Sequence, residues 1–420
     1  MRLVLAPRES ALLEGAEGPA MRLAMRLVVQ AAEIMGALDL VPVTFAHIDA
    51  CFYAGEAHVD FAQYLFDHAA RFAVPAWTNS GLVSLADESL RPEERDREAV
   101  AGGRRLMKLY QSLGCRPVWT CAPYQLPGGP KLGDHIVVAE SNAVTFYNSV
   151  IGARTNKYGD YLDVACALVG KAPRAGLHTD EGRKAELLFR TNAIPESLRR
   201  QDIFYHLLGH HIGRSAGQRI PVIEGLPGTA SRDDLKALSA ALAASGGVEL
   251  WHGAGLTPEA PTTDSVFTGN ETYDVTMADL ARARDELSVS RDGPLDMVAL
   301  GTPHFSLAEF ERLIALLDGR RAGVPVLVST SRFIRDHAST RNWIAGLERA
   351  GVTVVVDTCT YFSPAVRGCK GRVMTNAAKW AYYAPGMLGI EVCFGSLREC
   401  VESAVRGEVW RDPGLWKDVA

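Results

Sequence analysis

Leu, Met and Ala recur at helical spacing from Glu9 to about Met35, with Arg22 and Arg26 one turn apart, and the pattern predicts one or two amphipathic helices. Gly15 and the Gly18-Pro19 pair are where such a run divides. Residues 40–48, LVPVTFAHI, are mostly apolar and predict a buried strand that delivers His47, Asp49 and Cys51 at its C-terminal end. Helical spacing returns over 58–72, ahead of the short apolar AVPAW and the turn residues TNSG. Residues 91–109 alternate charges on a helical pattern, which reads as a solvated helix face. A short strand over 117–120 is expected to end in Cys121 and a Pro/Gly-rich loop, and a second over 135–139 to lead into AESNAVTFYNSVIGARTNKYGD.

Beyond that stretch, residues 161–169 start an apolar helix. Residues 205–213 place His206 and His210 at i and i+4, a zinc spacing, but Leu207 stands where the zincin pattern has its glutamate, so a packed helix is expected. GLPG at 225–228 marks a boundary before a capped helix over 233–244, the strand VELWH and the linker-like PEAPTT. The last third repeats strand, loop and helix, which argues for parallel strands with crossover helices. The expected fold is α/β and multi-lobed, with parallel sheets flanked by helices. Its lobes are residues 1–218, 219–265 and 266–420.

Length adds that 420 residues exceed one ordinary core. Apolar residues at 47% and charged ones at 22% match a globular protein in water, and a net charge of −5 offers no excess of positive charge for nucleic acid. No window reaches the length of a membrane-spanning helix, and Pro7, Arg8, Glu9 and Glu14 interrupt any secretory signal, so a cytoplasmic location is expected. The 8 cysteines are spread thinly, which in a reducing compartment means free thiols, metal ligands or catalytic groups. No strand is followed by GxGxxG, and ALVGK at 167–171 lacks the upstream glycine of a phosphate-binding loop.

Candidate chemistry gathers in a few places. Ser141, Asn142, Asn148, Arg154, Thr155 and Asn156 sit among Val144, Phe146, Val150 and Ile151, as in the wall of a site. Arg154-Thr155-Asn156 offers a planar fork, a hydroxyl and an amide, suited to gripping a small carboxylate. The alternative is a buried polar network that organises local packing. Cys51, Cys121 and Cys359 each follow an expected strand, and thiolates at strand ends could converge on one iron centre. Read singly, each is equally a small buried hydrophobe. GTPHFS carries Thr302 and His304 before a helix whose first turn has a capping box, Ser306 with Glu309. TNAAKWAYYAPG brings Asn376 and Lys379 beside Trp380, Tyr382 and Tyr383, either as packing or with Lys379 orienting a substrate carboxylate.

The motifs HIDAC, CAPY, AESNAVTFYNSVIGARTN, GLPG, WHGAGLTPEAP, GTPHFS, DTCTYF and TNAAKWAYYAPG occur in this order along nearly the whole chain, which thereby resembles the large subunit of the aconitase X family. The resemblance implies loss of water from a small hydroxy acid at an iron centre, either an iron–sulfur cluster such as [2Fe–2S] or a single iron. Bacterial members resemble cis-3-hydroxy-L-proline dehydratases, and archaeal ones phosphomevalonate dehydratases. A small swivelling domain, fused or separate, carries a serine taken as the base. The chain reaches Ala420 without such a module, so a separate small subunit is an expected partner. Many relatives have cysteine where this chain has Thr302. Cys121 and Cys359 carry over as ligands, Cys51 is the candidate third, and Cys369 stands behind it. His304 and Lys379 are the expected catalytic residues, and His47 and Thr302 join the polar wall in substrate binding. Dehydration of mevalonate 5-phosphate and a metal-free scaffold role are the alternatives.

Overall fold

The computed structural model describes residues 3–86, 96–363, 366, 369 and 371–415. The helical run at the N-terminus forms two helices, Pro7–Glu14 and Pro19–Ile34. Gly15 ends the first in a left-handed conformation at φ 99°, and Pro19 opens the second, where its missing N–H costs nothing. The second helix buries Ala20, Ala24, Met25, Val28 and Ala32 along one stripe.

The apolar run 40–48 does not form one strand. Leu40–Pro42 pairs antiparallel with Lys171–Pro173, while Ala46–Ile48 lies between Ala76–Thr78 and Val137–Val138 in a parallel sheet. Pro42 has no N–H to extend a ladder, so the chain leaves the first sheet there. The strand expected over 117–120 is also absent as such. That segment runs beside Ala76–Thr78 and touches it through Arg116, but Pro117 cannot donate and Trp119 sits at φ 43°, which no strand residue adopts. Of the expected strand 135–139 Val137–Val138 forms the strand, and His135 pairs through an isolated bridge with Arg154. The charged helix is Arg97–Ser112, and residues 91–95 of its expected span lie outside the described residues.

A second parallel sheet has the order His252–Gly253, Pro221–Glu224, Ala185–Arg190, Phe267–Asp274, so its strands extend beyond both ends of the segment 219–265. Of VELWH, only His252 pairs. The helices Asp202–Ala216 and Arg232–Gly246 cover this part and pack closely because Gly209 has no side chain. A Cβ there would lie 2.7 Å from both the Ala241 Cβ and the Leu238 carbonyl oxygen. His206 and His210 are packing residues, as Leu207 suggested. The His206 Nδ1 accepts from the Ala378 N–H at 3.3 Å, and His210 bonds Ser245 and Glu286.

The last third is a five-stranded, wholly parallel sheet in the order Val352–Val356, Val326–Thr330, Met297–Phe305, Arg372–Thr375, Glu391–Phe394. The chain builds outward from Met297–Phe305 on one side and then crosses to the other. The strand order therefore reverses between Met297–Phe305 and Arg372–Thr375, the kind of place where open α/β sheets bind ligands beyond their carboxyl ends. Ser306 and Glu309 form the expected capping box on the helix Leu307–Leu317. Among the described residues no helix is long and apolar enough to cross a membrane.

Candidate metal centre and active site

The loops that leave the carboxyl ends of the N-terminal and C-terminal parallel sheets face each other. Gly81 and Leu85 donate backbone N–H groups to Asp357, at 2.8 Å to its carbonyl and 2.9 Å to its carboxylate. Asp357 takes a left-handed φ of 73°, and Arg332 grips its carboxylate with two bonds of 2.6 and 2.7 Å. This pinned turn aims Cys359 at the opposite loop.

There the Cys359 Sγ lies 3.6 Å from the Cys121 Sγ and 3.4 Å from the His304 Nε2. One donor atom from each of Cys121, His304 and Cys359 lies within 4.8 Å of the others, and all three residues are buried. Among the described residues this is the group of metal-ligating side chains of such density. Burial pushes the Cys121 thiol up. It acts in the same sense on Cys359, but Cys121, His304 and Ser80 beside its sulfur hold that thiol well below the usual range. Two thiols and an imidazole facing one point are a donor set that fits iron. The His304 Nε2 also lies 3.1 Å from the Thr358 carbonyl; ligation through that nitrogen would place the ring proton on Nδ1, where the Thr120 Oγ1 stands 2.9 Å away to accept it.

Beside this centre opens a cavity of about 270 Å³, lined by Asp49, Ser80, Glu140, Ser141, Lys157 and Lys379 among others. Lys379 is 2% exposed, and its ammonium contacts the Glu140 carboxylate and, at 3.3 Å, the Ser141 hydroxyl. Burial opposes its charge, yet Glu140 raises its pKa well above the ordinary lysine value. Glu140 is the N-cap of the helix Ser141–Phe146, where it accepts from the Ala143 N–H at 2.9 Å. Asn142 bonds Glu140 and also donates to the Cys121 carbonyl at 2.8 Å, so the cation and the thiol loop share one buried network.

The structure brings together only part of the expected set. Cys121, Cys359, His304, Lys379 and Ser141 meet here, with His304 in the group of side chains that could hold a metal ion. Cys51 is elsewhere, its thiol bonded to the Ile48 and Asn79 carbonyls at 3.2 and 3.5 Å, and Cys369 lies 3.8 Å from Asp296. Arg154 lines a different pocket with Arg183 and His252, and there it pairs with Asp180 at 2.5 Å and Glu259 at 3.7 Å. Asn148, Thr155 and Asn156 spend their side chains on Glu249, Val138 and Leu177 backbone groups, the buried network that was the alternative reading. His47 donates to the Thr120 carbonyl at 2.9 Å behind the thiol loop, and burial lowers its pKa to about 4. The Thr302 hydroxyl is buried without a partner.

Three family models match: aconitase X first domain over residues 2–181, second domain over 185–285 and third domain over 295–406. The chain is 41% identical to the cis-3-hydroxy-L-proline dehydratase of Pseudomonas aeruginosa, over 95% of this chain and 69% of that one. The chain belongs to the aconitase X family. It is also 33% identical to the phosphomevalonate dehydratase large subunit of Methanosarcina mazei, covering 97% of this chain and 98% of that one. The crystal structure of Thermococcus kodakaraensis aconitase X, holo-form, superposes with a TM-score of 0.86 at 29% identity, over 96% of this chain and 100% of that one.

Ser80, Glu140 and Tyr361 of this aconitase X cavity were not singled out from the sequence as site residues, and Asp49 was named there only at the end of the expected strand 40–48. Glu140 had one local signal, an acidic residue before a helical run, which is an N-cap pattern; its pairing with the distant Lys379 had none. Asp49 carries a testable consequence together with Asp163, which accepts the Asp49 and Ala50 N–H groups at 2.8 and 3.3 Å. Burial first, and then Asp160, raise Asp49 to about 7 and Asp163 to about 8, from 3.8. Between those values the folded chain holds more protons than the unfolded one. Stability is therefore greatest on the acid side of the window and falls as pH rises from 3.8 towards 8. Thermal unfolding of Asp163→Asn across this window is expected to show a shallower decline than the wild-type chain; an unchanged slope would mean that Asp163 is ionised throughout.

Proposed function

We propose that the chain is the large subunit of an aconitase X hydro-lyase that removes water from cis-3-hydroxy-L-proline. The observation that carries the substrate class is the balance of charge around the cavity: Asp49 and Glu140 face Lys157 and Lys379. Such a wall complements a zwitterion, which brings a carboxylate and an ammonium together. A phosphate monoester would want an excess of cations, and here Asp49 and Glu140 offset Lys157 and Lys379. The higher identity to the hydroxyproline enzyme supports the same choice.

Cys121, His304 and Cys359 would hold an iron–sulfur cluster or a single iron, whose Lewis acidity favours departure of a hydroxyl group. Lys379 orients the substrate carboxylate, and Glu140 holds Lys379 in one rotamer and keeps it charged. Ser141 adds a hydroxyl at the same point. Asp49 faces the substrate ammonium from across the cavity. The proton acceptor is assigned to a separate small subunit, a reading supported by the name of the archaeal relatives, large subunit. Retention of two thiols and an imidazole at one point argues against a scaffold role.

The experiment is an anaerobic assay of the purified, iron-loaded chain with and without the candidate small subunit. Iron and sulfide determination on the same sample distinguishes a cluster from a single iron. Turnover of cis-3-hydroxy-L-proline is expected only with the partner, and mevalonate 5-phosphate is expected to remain unchanged. General base assistance contributes about 10²–10⁴-fold, so full turnover by the chain alone would remove the two-subunit mechanism. Turnover of the phosphate ester in its place would remove the substrate assignment.

A further inference from the structure

Lys236 lies on the helix Arg232–Gly246 and is 2% exposed. It follows Leu235 and precedes Ala237 and Leu238, all buried, in a segment where an apolar side chain would be the ordinary choice. Its ammonium spends its bonds on three acceptors: Asp233 at 2.9 Å, Glu309, and the backbone carbonyl of His304 at 3.3 Å. That carbonyl also accepts from the Gln125 Nε2 at 3.0 Å, and Gln125 belongs to the turn Pro123–Gln125 that directly follows the Cys121 loop. Both lone pairs of the oxygen are thus used, from two opposite parts of the chain.

The same ion cluster grips the residues after His304. Asp233 accepts from the Ser306 hydroxyl at 2.6 Å, and Glu309 accepts from the Ser306 N–H at 2.8 Å. His304 is therefore tethered at its carbonyl and two residues downstream. Thr120 and the Thr358 carbonyl flank its ring at 2.9 and 3.1 Å, and its own N–H points at the Cys121 Sγ at 3.4 Å. A buried ion pair is weak support for stability, because desolvation offsets most of its attraction. What this cluster does accomplish is to define where the strand Met297–Phe305 ends relative to the thiol loop.

We propose that Lys236, together with Gln125, is a positioning residue for the metal centre: the pair holds the His304 carbonyl, and through it the imidazole, at ligating distance from Cys121 and Cys359. The middle part of the chain, which contributes none of the three ligands, would in this way set the geometry of the centre. The inference rests on His304 being a ligand, and the test separates the two ideas.

Holoprotein is prepared from the wild type, Lys236→Met/Glu309→Gln, Gln125→Met and His304→Gln. The double variant removes the Glu309 charge together with its cation, and Asp233 keeps its bond from the Ser306 hydroxyl. Circular dichroism checks folding, and two readouts follow: the visible and electron paramagnetic resonance spectra of the iron centre, and the rate at which a chelator strips the iron. Loss of a residue that orients a metal ligand costs about 10–100-fold in metal affinity, so iron release from both positioning variants is expected to accelerate on that scale, with an altered spectrum and an unchanged fold. A merely structural role would lower the melting temperature and leave the spectrum and the release rate as in the wild type, and that result would overturn the proposal. Should the double variant not fold, Gln125→Met decides alone, since it removes a neutral donor to the same oxygen. A His304→Gln protein with wild-type spectrum and iron release would instead overturn the ligand reading, and the positioning proposal with it.

Discussion

Replacing Cys121 or Cys359 by Ala is expected to remove the iron and reduce dehydratase activity to background, whereas Cys51→Ala leaves both intact. All three thiols are buried and follow strands or extended segments of the same kind, so the contrast tests geometry and not residue type. The Cys121 and Cys359 sulfurs are 3.6 Å apart with His304 beside them. The Cys51 thiol donates to two backbone carbonyls and lies apart from the Cys121, His304 and Cys359 group, which suits packing and not ligation. Its loss should cost the ~0.5–3 kcal/mol of an ordinary core truncation and nothing in iron content. Iron and sulfide analysis with the visible spectrum of the three variants, prepared anaerobically, is the measurement. Iron-free Cys51→Ala, or iron-replete Cys121→Ala and Cys359→Ala, would break the assignment of the centre.

The second large effect is expected at Lys379. Lys379→Met should lower kcat/KM by about 2–5 kcal/mol, or roughly 30-fold to several thousandfold, through loss of a desolvated charge on the substrate carboxylate. It should also destabilise the fold by about 3–5 kcal/mol, because Glu140 is left buried without its cation. These losses have different origins and can be separated. In Lys379→Met/Glu140→Gln no uncompensated charge remains, so denaturant unfolding should return towards wild type while kcat/KM stays low. Recovery of turnover in the double variant would reduce Lys379 to a structural counter-ion of Glu140.

Much of the architecture was legible because it is decided within a few residues. The two N-terminal helices divide where Gly15 and Pro19 dictate, the capping boxes at Ser231 and Ser306 close as their spacing requires, and the repeated strand–helix alternation after residue 295 yields a parallel sheet. Helix caps and hydrophobic periods are local physics. The segment 40–48 splits for a reason also visible locally, the missing N–H of Pro42 within its apolar pattern.

The site is a different matter. A run such as Arg154-Thr155-Asn156 declares that polar partners are needed, but a substrate and a protein group satisfy a guanidinium equally well. Only the tertiary structure supplies Asp180 and Glu259 as the answer. In the same way, Cys51, Cys121 and Cys359 have similar local settings, and their separation into one packing thiol and two that face each other beside His304 depends on how the loops of two sheets meet. Lys379 and Glu140 are 239 residues apart, and His304 and Cys121 are 183 apart. The sequence by itself determined the helices, the parallel C-terminal sheet and the thiols and cation available for chemistry. Packing alone decided which of them converge, because contacts at such separations follow from loop closure and burial across the whole chain and leave no periodic trace in it.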